Sequence, residues 1–391
     1  MENEIIKEHQ WSQTINLTTK QKERAGEDNS FALKLFRIVS KEQTNNVFIS
    51  PMSLNMVLGM LYNGASGDTR EDIAEALGIA GFSETEVNEY YQKISQALMA
   101  ADPTTDIIIA NSIWVRNDYP IKNHFIKIGK QYFDVEVREL YFNNQKAVNA
   151  INNWCSKKTN KKIKNIISGT IPDDMMMYLI NALYFKSKWQ EDIEFDKKKT
   201  KLDNFTTIDS QKIKVNMMEQ TSYLNYFADE FLQCVEMDYG NQAFSMIAVL
   251  PSPNTNIDLF IDYLDNEKLQ NAVNKMRVQE VRLKFPRFKI EGTFSLSKAL
   301  TLLGMKQMFC GGFTNISDDD LWVSKVIQKT FMEVNEEGTE AAAVTTIVET
   351  SGFPEKVKPV RFFANRPFLF MIREKRTGII LFIGRMDEPY E

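Results

Sequence analysis

No Gly-, Ser- or Pro-rich linker and no internal repeat interrupts the 391 residues of this chain. That continuity constrains the fold more than any single motif. A prior of roughly 150 residues per domain would divide such a chain into two or three units. Division, however, needs an exposed polar seam across which few contacts pass, and none is visible. The expectation is one large core. Residues 1–27 form a polar N-terminal segment, and residues 28–391 form a single domain.

Hydrophobic periodicity then sets the class. Asp28-Asn29-Ser30 offers caps for a helix whose apolar face is Phe31, Leu35, Ile38 and Val39. Ser50-Pro51 reads as a cap followed by proline at the first helical position, with Leu54, Val57, Leu58 and Leu61 at helical spacing. Thr69 and Asp72 read as a capping box, and Gly78 as the stop. Residues 106–116 and 175–189 are β-rich and apolar, the second long enough for a central strand. Between them, Val148, Ile151, Trp154 and Cys155 predict a helix within 147–167. Strands are expected at 244–251 and 281–288, a helix at 296–303, and a hairpin at 368–374 and 379–386. Helices mixed with strands come first and strands dominate last. The class is α+β.

Composition excludes several functions. With 43% hydrophobic and 25% charged residues the chain has the material for a large core, so global disorder is excluded. A net charge of −5 gives no whole-chain attraction to nucleic acid or anionic membrane. Only two histidines, His9 and His124, are present, which leaves a Ser–His or Cys–His nucleophile almost no choice of base. Cys155, Cys234 and Cys310 are far apart and form no C-x-x-C pair, so neither a metal site nor a disulfide framework is expected. No catalytic residues, metal or cofactor are assigned. No apolar run reaches the roughly 18 residues of a membrane helix, and the start has neither a basic n-region nor an h-region. The lysines at 157, 158, 161, 162 and 164 read as the solvated end of a helix, where cations suit the dipole. Asn16, Asn204 and Asn315 head glycosylation sequons, meaningful only in a secretory setting.

One segment resists assignment. Residues 336–346 read EEGTEAAAVTT, and Glu and Ala favour a short exposed helix. Yet the segment comes after a strand-like stretch and runs into Val344, Thr345, Thr346, Ile347 and Val348, which are β-branched. Gly338 supplies a pivot. Residues 339, 341, 343, 345 and 347 are Thr, Ala, Ala, Thr and Ile, so one strand face would be small or apolar. A strand-capable loop is the second reading, able to slide between existing strands.

The blocks NVFISPMSLNMVLGMLYNGASGDTREDIAEALG at 46–78, INALYFKSKW at 180–189, VNEEGTEAAAVTT at 334–346 and ANRPFLFMIREKRTGIILFIGRMDEP at 364–389 resemble, in this order and spacing, the serpin family. The resemblance covers nearly the whole chain. It implies an α+β fold of about three sheets and eight or nine helices, with an exposed reactive-centre loop at about 338–358. It also implies an irreversible suicide inhibitor. A serine or cysteine protease attacks the loop and forms an acyl-enzyme. The cleaved loop then inserts as a new strand in the main sheet, which releases stored strain and traps the protease. The implied partner is a serine protease in covalent complex, with the inhibitor a monomer, no nucleic acid and no membrane insertion. The family expectation is an extracellular or cell-envelope location, while a cytoplasmic one stays open because no signal peptide is visible.

Carried onto this sequence, the hinge is Glu336, Gly338, Thr339, Glu340, Ala341, Ala342, Ala343 and Thr345. Its small residues match inhibitory members. The family's spacing puts the reactive bond at Gly352–Phe353, with neighbouring cuts after Val348, Glu349, Thr350 or Ser351 as alternatives. Small residues there point to an elastase-like or subtilisin-like target. The resemblance places a shutter at Ser50, Ser53 and Asn181, with Gln328 where the family usually has His. It places a breach at Trp189, Arg287 and Glu336. The alternative function is a non-inhibitory member acting as a ligand carrier or folding partner.

Overall fold

The structure, a computed structural model, describes residues 15–253, 255–339 and 358–391. Among them are nine α-helices: α1 (Thr19–Glu42), α2 (Pro51–Gly64), α3 (Gly67–Leu77), α4 (Glu84–Ala100), α5 (Asn123–Ile128), α6 (Gln145–Lys158), α7 (Ile257–Tyr263), α8 (Asn266–Lys275) and α9 (Ser297–Leu302). The first strands are β1 (Val47–Ile49), β2 (Asp106–Arg116), β3 (Glu136–Leu140), β4 (Met177–Lys188), β5 (Lys201–Thr206), β6 (Lys212–Ala228) and β7 (Leu232–Asp238). The later ones are β8 (Phe244–Pro251), β9 (Arg277–Pro286), β10 (Phe288–Ser295), β11 (Lys325–Asn335), β12 (Gly338–Thr339), β13 (Val360–Phe363), β14 (Phe368–Glu374) and β15 (Ile380–Met386).

The strands form two sheets among the described residues. One has six strands in the order β10-β11-β12-β4-β2-β3. The other has nine and turns through the long β6, which pairs with β5 at its start and with β7 at its end. The six-stranded sheet is buried on both faces, which is why β4 reads as an unbroken apolar run. One face meets the main core, where Leu179, Leu183 and Val326 join helices α1–α4 and the second sheet. The other carries Ile180, Ala182, Tyr184 and Phe331 beneath α6, whose Val148, Ile151 and Trp154 close a smaller core. Trp154 meets Trp114 of β2 edge to face, ring centroids 5.8 Å apart.

Local signals were spent in unexpected ways. Ser50 does precede α2 with Pro51 at its start, but its hydroxyl makes no cap bond. It donates to the Leu381 carbonyl instead, at 2.6 Å. The expected capping box at Thr69 does not form: the helix begins earlier, with Ser66 at the cap. Thr69 Oγ1 donates to the Gly311 carbonyl at 2.9 Å. In both cases a buried carbonyl from another element outcompetes the local amide. Gly78 ends α3 in the left-handed conformation, φ 67°, as its type requires. The first helix begins at Thr19 rather than near Asp28, opened by a capping box of Thr18 and Gln21. Arg24 and Asp28, paired at 2.6 Å, are buried inside it.

Candidate functional site

The site is a partly opened seam in the six-stranded sheet. Over its lower part β4 and β11 are parallel neighbours, with Lys325 opposite Tyr178 and so on to Phe331 opposite Tyr184. Above that, a third strand lies between them. The chain leaves β11 at Asn335, turns through Glu336 and Glu337, and returns as β12. Gly338 pairs with Asn335 on one side and Lys188 on the other; Thr339 pairs with Val334 and Ser187. Both contacts are antiparallel. Within this segment Gly338 and Thr339 are therefore strand, after the turn at Glu336 and Glu337. Glu340, Ala341, Ala342, Ala343 and Thr345 of the expected hinge lie outside the described residues. So do the reactive-bond candidates Val348, Glu349, Thr350, Ser351, Gly352 and Phe353, and His9.

Each residue of the turn is held by chemistry its type supplies. Gly338 has φ 139°, and a Cβ there would sit 2.3 Å from the Ser187 carbonyl oxygen, so only glycine fits between the strands. Thr339 is fully buried and shares a hydrogen bond of 2.8 Å with the Tyr239 hydroxyl. Tyr239 stacks on Trp189 with ring centroids 4.5 Å apart and planes 10° from parallel. Trp189 Nε1–H donates to the Asn335 carbonyl at 3.0 Å. Trp189, the residue expected at the breach, thus clamps the end of β11 and, through Tyr239, the beginning of β12.

Glu336 is 1% exposed. Its carboxylate accepts from Arg287 and from Thr200 Oγ1 at 2.6 Å. Burial pushes its pKa up, but the hydrogen bonds from Arg287 and Thr200 outweigh it and hold the group below its ordinary value. Removing Arg287 would strand a buried carboxylate, a change that costs about 3–5 kcal/mol in comparable sites. Glu337, also buried, pairs with Lys197. The turn opens on a cavity of about 440 Å³ lined in part by Lys197, Arg287, Lys289, Glu333, Glu336 and Glu337.

Further down the seam, the expected shutter residues meet. Gln328, fully buried, accepts from the Ser50 N–H at 2.8 Å and donates back to the Ser50 carbonyl at 2.9 Å. Its side-chain amide so imitates a strand pairing with the start of α2. The same Nε2 donates to Asn181 Oδ1 across the seam. Asn181 Nδ2 donates to Ser53 Oγ and to Asn111 Oδ1, and Ser53 Oγ donates to Asn111 Oδ1 at 3.0 Å. Asn111, on β2, was not anticipated. A signal existed: in period two it shares a face with Ile107, Ile109, Ile113 and Val115, and a lone amide on an apolar strand face needs a buried partner.

No group of three or more His, Cys, Asp or Glu side chains among the described residues could hold a metal. Burial pushes the Cys155 and Cys234 thiols up to about 12. Cys310 and His124 are exposed.

Comparison with known proteins bears on this seam. The family model described as "Serpin (serine protease inhibitor)" matches residues 27–389. Iripin-1 of Ixodes ricinus is 34% identical over 371 residues, covering 92% of this chain and 93% of that protein. Serpin B8 of Homo sapiens is 32% identical, covering 93% of this chain and 98% of its own. The native state of the thermophilic serpin Tengpin superimposes with a TM-score of 0.87 at 31% identity, covering 95% of each chain.

Proposed function

The chain belongs to the serpin family, and we propose that it is an irreversible suicide inhibitor of serine or cysteine proteases. One observation carries the reading: β12 already occupies the top of the seam, antiparallel to both β4 and β11. Continued one residue at a time, that register puts Ala341 level with Phe185 and Met332, and Thr345 level with Asn181 and Gln328. Thr339 points into the main core, so Ala341, Ala343, Thr345 and Ile347 would continue its inward face. These are the small or β-branched residues such a face accepts without overpacking.

The mechanism rests on an exchange of ladders. A protease serine or cysteine attacks the carbonyl of the reactive bond, the leaving amine departs with the new N-terminus, and an acyl-enzyme remains. The freed segment zips downward between β4 and β11. Their one shared ladder is replaced by two, each hydrogen bond adding about 0.5–1.5 kcal/mol net. Over about ten residues that is comparable with the 5–15 kcal/mol that holds a typical protease together. Pulling one oxyanion-hole donor out of place slows deacylation roughly 10²–10³-fold, and the ester persists.

The proposed reactive bond is Gly352–Phe353, with cuts after Val348, Glu349, Thr350 or Ser351 as alternative registers of one loop. The absence of a basic residue between the hinge and Pro354 in the sequence favours an elastase-like or subtilisin-like target. The experiment is incubation with an elastase or a subtilisin, read on a denaturing gel with sequencing of the released peptide. A covalent band with the new N-terminus between 349 and 353 is expected. Cleavage with neither a covalent band nor a rise in thermal stability would sink the proposal and favour a non-inhibitory carrier.

A further inference from the structure

We infer that the cavity at the turn between β11 and β12 is a binding site for a free basic α-amino acid, whose carboxylate meets Lys289 and Arg287 and whose two cationic groups meet Glu333 and Glu337. Binding there does not depend on protease inhibition. The volume of about 440 Å³ falls in the range of about 300–1,000 Å³ that holds small molecules. The lining is charged, where such sites are usually apolar. Lys197, Arg287 and Lys289 face four carboxylates, those of Glu333, Glu336, Glu337 and Glu391, which leaves a net charge of −1.

The groups left without partners define what fits. The Glu337 side chain is 9% exposed; one oxygen pairs with Lys197, and Oε2 has no hydrogen-bond partner among the described residues. Arg287 pairs with Glu336 and Glu391, but its Nε–H is equally unpartnered there. A buried acceptor and a buried donor left open both favour a ligand that carries the complementary group. Lys289 and Glu333 stand directly opposite in the β10–β11 register. The Lys289 N–H turns away from β11 to the Tyr390 carbonyl, at 2.7 Å, so the two form a non-hydrogen-bonded pair, the kind whose side chains lie closest. Yet neither makes an ion pair with any described residue. The Lys289 ammonium lies over the Phe331 ring instead, 5.1 Å from its centroid.

A lone anion would face all four carboxylates. A diamine would satisfy Glu333 and Glu337 and leave Lys289 and Arg287 unmet. A neutral amino acid supplies both signs but leaves the charge of −1 uncancelled. A basic amino acid supplies both signs and, with its one net positive charge, cancels it. The walls are set before it arrives. The Glu336 and Glu337 carbonyls accept from the Phe195 and Trp189 N–H groups, each at 2.9 Å, and the Glu337 N–H donates to Asn335 Oδ1 at 3.0 Å. A fixed backbone lowers the ordering cost of binding. The flexible Lys197 side chain, 58% exposed, can leave Glu337 for the ligand carboxylate as the ligand's cation takes its place. Because Glu337 adjoins Gly338, a bound ligand should also hold β12 in the seam and raise the melting midpoint with occupancy.

The test is calorimetric titration of the full chain with L-arginine, with agmatine, which lacks the carboxylate, with L-citrulline, which lacks the guanidinium charge, and with L-glutamate. L-arginine is expected to saturate one site. Agmatine and L-citrulline should bind at least ~10-fold more weakly, since each forfeits one charge-assisted contact, and L-glutamate should not bind. Lys289→Gln should weaken L-arginine and leave agmatine unimpaired, so that the two converge. Lys289→Arg should restore the preference for L-arginine. Glu333→Gln should weaken L-arginine and agmatine alike. Should Lys289→Gln shift the melting midpoint of the free chain, Lys289→Met keeps the stem over Phe331 and reads the same contact. No saturable binding of L-arginine, equal affinity for agmatine in the parent chain, or affinities unchanged by both Lys289→Gln and Glu333→Gln would overturn the inference.

Discussion

Thr339 and Tyr239 show how little chemistry holds the hinge in place. Their shared hydrogen bond lies in a dry site, and burial pushes the Tyr239 hydroxyl far above its ordinary pKa, so it stays a neutral partner. Thr339→Val keeps the shape and leaves the tyrosine hydroxyl without a partner, at about 1–3 kcal/mol. Tyr239→Phe does the converse to the threonine. The double variant should cost less than the sum of the two, with a coupling of about 1 kcal/mol in urea unfolding; strict additivity would show that the contact holds nothing. A second residue, Asp387, gives the chain a pH signature. Burial pushes its carboxyl up to about 6, against the pull of Arg385. Because the folded state keeps its proton after the unfolded state has lost it, this group makes stability fall as pH rises from about 4 through about 6. Asp387→Asn should remove that component, so the urea midpoint should fall less, or rise more, from pH 4.5 to 7 than in the parent chain. An identical pH profile would assign the slope elsewhere.

At the level of elements, periodicity was legible in the sequence, and competition between distant neighbours was not. Strands β2, β4, β8, β14 and β15 stand where alternating or continuous apolar runs placed them. The helix expected within 147–167 ends at Lys158, because residues 163–167 are strapped back onto it by Asn152 rather than continuing its turns. Ser50 and Thr69 misled locally because their hydroxyls found buried carbonyls on distant segments, a choice no window of sequence records. The seam itself was legible only in part. Gln328, Asn181 and Ser53 came from family resemblance, and the structure brings them together, but Asn111 emerges only once β2 is laid beside β4. The four link β2, β4, β11 and α2. Gln328→Ala would leave the Ser50 N–H and carbonyl and the Asn181 carbonyl short of partners. A loss of about 3 kcal/mol or more is expected, from penalties of about 1–3 kcal/mol for each of the three stranded groups. Unchanged urea unfolding and unchanged inhibition would remove Gln328 from the account of how the strands are held together.

For the whole molecule the decisive quantity is the difference between two arrangements of one sheet. In the arrangement seen here, β4 and β11 share seven paired positions, Lys325–Phe331 against Tyr178–Tyr184, and β12 has begun to part them. In the arrangement we propose after cleavage, the same strands each pair with the inserted segment. Whether a bound protease is trapped or released then depends on a race between zipping and deacylation. A residue that slows the zipper without touching the reactive bond should change the outcome and not the first step. Ala343 is that residue in the proposed register, facing inward level with Leu183 and Thr330. Arginine there would bring an unpaired charge into the core, where the effective penalty is several kcal/mol. At 1.4 kcal/mol per tenfold, about 3 kcal/mol in the zipping barrier would shift the partition more than ~100-fold toward release. Ala343→Arg should therefore be cleaved at the parent's bond and rate, yet give no covalent band and no rise in melting midpoint. Ala342→Arg, whose side chain would face α6, should retain more of the complex than Ala343→Arg. Equal loss at both positions would count against the register, and full trapping by Ala343→Arg would count against insertion at this seam.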